Sequence, residues 1–258
     1  MKITIQVSAA AIRAVMACAG ERDVRFYLNT VALYRGKTGG VLAAATDGTV
    51  MAFAFDPAGE WEGDDAGPVL VRRSFSGKSL NTWKESILAD IAATKPGKFR
   101  ADDRVTLEAG ELAGMVNPHC ARLTFRGVTR ENPSALEVAR YPDLSAYASP
   151  TYTAEPVAFD PALLDRAYMG LYFTQPGRHT HGALFTRGEG AAGVVVGLNR
   201  AESPYYAAVV MPVRGKPHEV HASLKNTYAN ADQGREAWPV QARPVPGLEW
   251  LRGALIGD

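Results

Sequence analysis

Residues 8–55 read SAAAIRAVMACAGERDVRFYLNTVALYRGKTGGVLAAATDGTVMAFAF. The opening positions predict a helix over Ser8–Ala19, with Ser8 as N-cap, Gly20 as the stop, and Ile12, Val15, Met16 and Ala19 at helical spacing. The remainder predicts strands at Val24–Tyr34 and Gly40–Phe55, the second turning back at Asp47-Gly48 between alternating apolar residues. A short helix followed by antiparallel strands is the unit.

The same plan recurs downstream. A second helix is predicted over Ser79–Ala93, with Leu80, Trp83, Ile87, Leu88 and Ile91 on one stripe and Pro96-Gly97 beyond it. Strands at Val105–Leu107, Gly114–Val116 and Arg122–Phe125 follow. A third helix opens at Asp160-Pro161, an N-cap followed by Pro at the first helical position, and continues through Leu163, Leu164, Ala167, Tyr168 and Leu171. Its strands are Gly182–Thr186, Gly193–Leu198 and Tyr205–Val213. The unit is about 65 to 75 residues long and occurs three times. Gly215–Asp258 differs: it is rich in Pro, Asn and Gly, its five basic and five acidic residues cancel, and it shows no comparable pattern.

The whole chain has 258 residues, 47% hydrophobic and 21% charged, which suits one or two folded domains and excludes wholesale disorder. With 28 basic and 27 acidic residues, any binding to nucleic acid or a membrane needs local segregation of charge. Two cysteines, Cys18 and Cys120, are too few for a disulfide scaffold. Arg13 interrupts the apolar N-terminal stretch, and no run reaches the ~20 residues that span a bilayer. A soluble, cytoplasmic protein is expected.

Five short segments carry a family resemblance. Asp23-Val24-Arg25-Phe26-Tyr27-Leu28-Asn29, Ala45-Thr46-Asp47-Gly48, Val69-Leu70-Val71-Arg72-Arg73, Tyr141-Pro142-Asp143-Leu144 with Pro150, and Val209-Val210-Met211-Pro212-Val213-Arg214 come in that order. Together they resemble the DVRYYLN, ATDG, VIVPR, FPDY…LP and VVMPMR segments of the β sliding clamp of bacterial DNA polymerase III. Arg72 stands where that family has Pro, and Thr49-Val50-Met51 where its turn continues His-Arg-Leu. Only three of that family's six repeats per chain are visible, and a tail follows the strand that closes the family's chain.

The resemblance implies an α+β, DNA-clamp fold of repeated helix plus antiparallel-sheet units. Residues 1–150 would form a complete two-repeat domain, 151–214 a half domain, and 215–258 an extension. It implies a non-enzymatic processivity factor that contacts duplex DNA without sequence specificity, through cations on inward-facing helices. Arg72, Arg73, Lys78 and Lys84 form a basic run without an acid, and Arg13 and Arg166 lie on the other helices. A solvated helix start accounts for the run as well. The acidic run Asp56, Glu60, Glu62, Asp64 and Asp65 would face outward. Arg122, Thr124 and Arg126 alternate along one strand face, which reads as solvated.

The family's peptide pocket, carried over, falls on Leu28, Thr46, Val50, Met51, Pro150, Val209 and Met211. Its implied partners are peptides of the polymerase and clamp loader, and Met suits varied occupants. Ordinary core packing explains the same residues. Homo-oligomerisation through open strand edges is a further implied partnership. The competing reading is a clamp-fold interaction module that binds such peptides without encircling DNA.

Catalytic readings are poor. His179 and His181, or His218 and His221, lack a carboxylate or Cys at zinc-like spacing. Gly188, Gly190 and Gly193 sit between strands, as in a hairpin. No cofactor and no metal are expected.

Overall fold

The computed structural model describes residues 2–21, 23–63, 67–72, 86–110, 120–135, 141–147, 151–152, 159–175, 182–186, 192–197, 204–212, 243–246 and 248–257. It begins with a strand that the sequence reading missed. In β1 (Lys2–Ser8), Ile3, Ile5 and Val7 are buried and alternate with half-exposed Thr4 and Gln6. Helix α1 (Ala9–Met16) follows at once. The expected Ser8 cap is absent: its side chain makes no capping bond, while its N–H donates to Asp56 Oδ2 (2.8 Å) and Ala9 N–H to the Asp103 carbonyl (2.9 Å). Distant groups satisfy this helix start instead of the local hydroxyl. Of the eight residues in α1, only Arg13 escapes burial.

The segment expected as a strand from Val24 starts differently. Phe26–Asn29 is a 3₁₀ turn, and β2 (Thr30–Arg35) begins only after it. Local hydrogen bonds explain the difference. Asn29 Oδ1 accepts from Asp23 N–H (2.9 Å), Asn29 Nδ2 donates to the Asp23 carbonyl (2.7 Å), and Leu28 N–H donates to the Arg25 carbonyl (2.8 Å). Such bonds offer the backbone an alternative to a ladder. β3 (Val41–Thr46) and β4 (Val50–Asp56) then form the expected hairpin.

The first two units exchange strands. β6 (Val69–Arg72) opens the second unit yet pairs with β2 of the first. β1 opens the first unit yet pairs with β7 (Arg104–Gly110) of the second. The last strand of each unit also crosses over. β9 (Val128–Ala135) pairs with β8 (Cys120–Phe125) through Pro133, then with β6 through Ser134 and Ala135. β4 bends after Asp56 and continues as β5 (Glu60–Glu62), which pairs with β1. The eight-strand set therefore closes on itself with approximate two-fold symmetry.

The third unit adds β11 (Gly182–Phe185), β12 (Gly193–Gly197) and β13 (Tyr205–Val210), with β13 pairing antiparallel to β4. One face of the sheet carries the helices: α1, α2 (Ile87–Ala93), α3 (Pro161–Met169) and α4 (Leu171–Thr174). Residues 79–85 of the predicted second helix lie outside the described residues. Ser86 is extended and accepts from Ala89 N–H (3.1 Å), so the described helix begins there. Asp160 caps α3 as expected, accepting from Ala162 N–H (2.8 Å). The opposite sheet face carries Tyr141–Tyr147 and, from the tail, β14 (Arg243–Pro244) and α5 (Glu249–Leu255). β14 pairs with β10 (Thr151–Tyr152). Because α5 lies on the face away from the unit helices, the described part of the tail is no fourth repeat.

Candidate docking surface and nucleic-acid face

The turn between β3 and β4 is tightly fixed. Gly48 sits at φ +92°, which an L side chain resists. Asp47 Oδ1 accepts from Thr49 N–H (2.8 Å), the Thr49 hydroxyl (2.6 Å) and Val50 N–H (3.1 Å). The Thr46 hydroxyl donates to the Val50 carbonyl (2.8 Å) and accepts from Gly48 N–H (3.0 Å). Arg166, on α3, donates through Nη1 to Asp47 Oδ2 (2.5 Å) and through Nε to the Ala17 carbonyl (2.9 Å). Burial works to raise the Asp47 carboxyl, but its bonds to Thr49, Arg166 and Val50 together hold it below the ordinary carboxylate range.

β13 lies beside this turn. Val209 opposes Met51, Val210 opposes Val50, and Met211 N–H donates to the Thr49 carbonyl (2.9 Å). The strand period of two then separates the carried-over pocket residues. Val50 faces the helix-side core with Ala52 and Ala54, whereas Met51 and Val209 face the opposite side. Leu28, Thr46, Val50, Met51 and Val209 are buried, and Met211 is 42% exposed. Pro150 lies outside the described residues. Val24, beside the turn through Arg25, is 96% exposed; the sequence reading placed it in a strand and gave it no role. The turn is thus flanked by two exposed apolar side chains, Val24 and Met211.

The two outer sheet faces differ in kind. Over β7 and β8 the outer face is polar: Glu108 pairs across with Arg122 (4.0 Å) and Thr124 with Thr129 (2.9 Å), as the solvated-face reading of Arg122 and Thr124 expects. Over β3, β4 and β13 it is apolar, with Leu42, Ala44, Met51, Phe53, Ala207 and Val209 buried. Its cover is partly aromatic. Tyr147 packs on Phe53 (6.3 Å between ring centroids), Trp250 stacks on Phe55 (6.1 Å, 10°), and Tyr141 meets Tyr34 edge-on (6.3 Å). Burial pushes the Tyr141 phenol well above its ordinary pKa.

On the helix side, Arg13 lies over the Phe173 ring (4.2 Å), which meets Phe99 edge-on (6.1 Å). Phe99 belongs to the connection Lys95-Pro96-Gly97-Lys98-Phe99-Arg100, whose Lys95, Lys98 and Arg100 are exposed. Sequence reading treated this stretch only as a helix stop. Its three cations without an acid were the signal. Arg104, Arg126, Asp102 and Asp103 line a shallow polar pocket with Arg100. Arg72 ends β6 opposite Thr30 and is half-buried. Arg73, Lys78 and Lys84 lie outside the described residues.

The acidic run is only partly exposed. Glu60 and Glu62 face solvent, but Asp56 is buried, accepting from Ser8 N–H and pairing with Arg104 (2.9 Å). Asp64 and Asp65 lie outside the described residues, as do His179, His181, His218 and His221. Among the described residues no group of three or more His, Cys, Asp or Glu is placed to hold a metal ion. None of the described helices is long and apolar enough to cross a membrane.

No family model and no curated protein matches the sequence. Solved structures do match. The β clamp of Helicobacter pylori, in complex with carprofen, superimposes at a TM-score of 0.54 with 7% identity, over 83% of this chain and 67% of that one. The fold is that of a sliding clamp. The Caulobacter crescentus β sliding clamp (TM-score 0.49, 16% identity, 82% and 66% covered) and the Pseudomonas aeruginosa DNA polymerase sliding clamp (0.48, 16%, 83% and 67%) also match. The chain spans about two thirds of the length of these clamps. On this fold, Val50, Met51 and Val209 lie at the junction between β4 of the first unit and β13 of the third, with Met211 just beyond it.

Proposed function

We propose that this chain is a clamp-like replication scaffold without a catalytic centre. In this reading it docks peptides of a DNA polymerase and its clamp loader on the outer face beside the Asp47-Gly48 turn. Its helix side contacts duplex DNA without reading sequence, and it works in the cytoplasm. The observation that supports docking most directly is the contrast between the two outer sheet faces. One is polar and solvated, while the other is apolar and ends at exposed Met211. Exposed apolar side chains at the margin of such a surface suit a peptide partner.

On the DNA side, the proposed contacts are Arg72, Arg73, Lys78, Lys84 and Arg13, joined by Lys95, Lys98 and Arg100. In this reading Arg166 is set apart from those contacts, because its guanidinium is tied to Asp47. Residues 1–150 act as one two-repeat domain and 151–214 as a half domain, with self-association supplying further repeats.

A second reading has its own support. Helix α1 is buried on all sides but Arg13, so it offers a DNA-facing surface little charge. This favours a clamp-fold interaction module that binds replication peptides without forming a ring. Retention on nicked circular duplex DNA, before and after linearisation, separates the two. The clamp reading expects retention on the circle and loss on the linear form. The module reading expects the same weak binding to both, and equal release from both removes the ring.

A further inference from the structure

The third unit grips the Asp47-Gly48 turn at two points. At one, Met211 N–H donates to the Thr49 carbonyl (2.9 Å). At the other, Arg166 Nη1 donates to Asp47 Oδ2 (2.5 Å), while Oδ1 of the same carboxylate accepts from Thr49 N–H and Val50 N–H. We infer that Arg166 is a positioning residue of the docking surface: acting through Asp47, it fixes the turn against β13 and so sets where Met211 is presented. The inference rests on the docking reading above.

The contacts form a closed circuit. From Met211, β13 runs back to buried Tyr206, whose hydroxyl donates to the carbonyl of Ala167, the residue after Arg166 (2.6 Å). The Tyr206 ring also seats on Gly170, just past the end of α3, where a Cβ would fall 2.2 Å from it. Helix α3 and β13 are therefore one support. Arg166 reaches from that support to Asp47, the carboxylate passes the constraint to the Thr49 and Val50 amides, and the Thr49 carbonyl returns it to Met211.

The guanidinium is itself oriented. Its Nε donates to the carbonyl of Ala17, the C-cap of α1, where the negative end of the helix favours a cation (2.9 Å). The Arg166 and Asp47 side chains are 31% and 19% exposed, so their charge-assisted bond is less screened than a surface pair. The two carboxylate oxygens divide the work: Oδ2 is anchored on α3, and Oδ1 is thereby aimed at the turn amides. Releasing Oδ2 frees the carboxylate to rotate and Oδ1 to lose its aim. Arg25 also reaches the turn, but its bond to the Asp47 carbonyl is long (3.4 Å) and its guanidinium is shared with Asp23.

The test uses the intact chain and its Arg166→Ala variant, with a fluorescent synthetic clamp-binding peptide of a bacterial polymerase as probe. The variant is expected to bind this peptide about three- to thirtyfold more weakly, the range of coupling within one hydrogen-bonded network. Amide hydrogen exchange should quicken at Thr49, Val50 and Met211 while β7 and β8 stay as protected as before. Unchanged affinity in the folded variant overturns the inference and leaves the docking reading standing. Weaker binding with exchange quickened alike throughout the chain also overturns it, because the loss is then general loosening. Should Arg166→Ala not fold, Asp47→Asn takes its place with the same outcomes, since it keeps an Oδ1 acceptor for the turn but loses the charge opposite Arg166. No binding to the unaltered chain removes the docking reading and this inference with it.

Discussion

At the scale of single residues, the charges that the sequence displays most openly are often already paired. Arg126 shows how. With Gly127 it forms the two-residue turn between β8 and β9, and both residues have positive φ (48° and 78°). A left-handed arginine is strained. Its guanidinium holds Asp103 from two sides, through Nε to Oδ1 (3.0 Å) and Nη2 to Oδ2 (2.5 Å), and donates to the Lys98 carbonyl (3.1 Å). That arrangement ties the β8–β9 turn to the start of β7. The Arg126 guanidinium, despite some opposing burial, holds the Asp103 carboxyl below its ordinary value. Replacing Asp103 with Ala should cost about 2–3 kcal/mol, read by urea denaturation, because charge-assisted bonds and a strained turn lose their partner together. The pH dependence follows from the sign of the shift. A lowered folded pKa means the contribution is complete above the unfolded value near ~4 and is lost as pH falls through the folded value. Between pH 5 and pH 2 the unaltered chain should therefore lose more stability than Asp103→Asn; parallel losses would contradict this.

Arg166 marks the limit of legibility at this scale. Its place on a helix was visible in the sequence, but its bond to Asp47, 119 residues away, was not. No local pattern encodes such a pairing. Arg166→Ala should lower the melting temperature while leaving the salt dependence of DNA binding unchanged. A shallower salt slope with unaltered stability would return Arg166 to the DNA contacts.

Among the elements, helical period and caps located the helices well, and neighbours set their ends. Asp160-Pro161 opened α3 as its cap chemistry requires. Ser8 makes no side-chain cap on α1, while Asp56 of β4 and the Asp103 carbonyl just before β7 accept from the Ser8 and Ala9 N–H groups. The strand β1 alternated plainly in the sequence yet was overlooked beside the stronger helix signal. The 3₁₀ turn at Phe26–Asn29 was hidden because its apolar residues also suit a strand. Packing between elements was the least visible. At the junction of α3 and α4, a Cβ on Gly170 would fall 2.2 Å from the Tyr206 ring, whose hydroxyl donates to the Ala167 carbonyl (2.6 Å). Gly170→Ala should destabilise the chain by about 1–3 kcal/mol, as overpacking does. Calorimetry showing no loss would mean that the ring can move aside.

Across the whole molecule, repetition was the readable feature and strand exchange the unreadable one. Three helix-plus-sheet units followed from period and turn chemistry. That β1 and β6 each complete the other unit's sheet depends on long-range pairing, which no local signal carries. The tail was legible only as different; its cover over Phe55 and Tyr205 arises from Trp250, a residue with no sequence neighbour to mark it.

The account's central claim is that the apolar outer face beside the Asp47-Gly48 turn docks replication peptides. Met211 tests it most directly, because it lies at that margin and is 42% exposed, so a charge there need not disturb the core. The measurement is the calorimetric affinity of a polymerase peptide for the unaltered chain and for Met211→Asp, with melting temperatures recorded for both. The account predicts equal melting temperatures and at least about tenfold weaker binding by the variant, the equivalent of 1.4 kcal/mol. Equal affinity in the two proteins, or no binding to either, would contradict it.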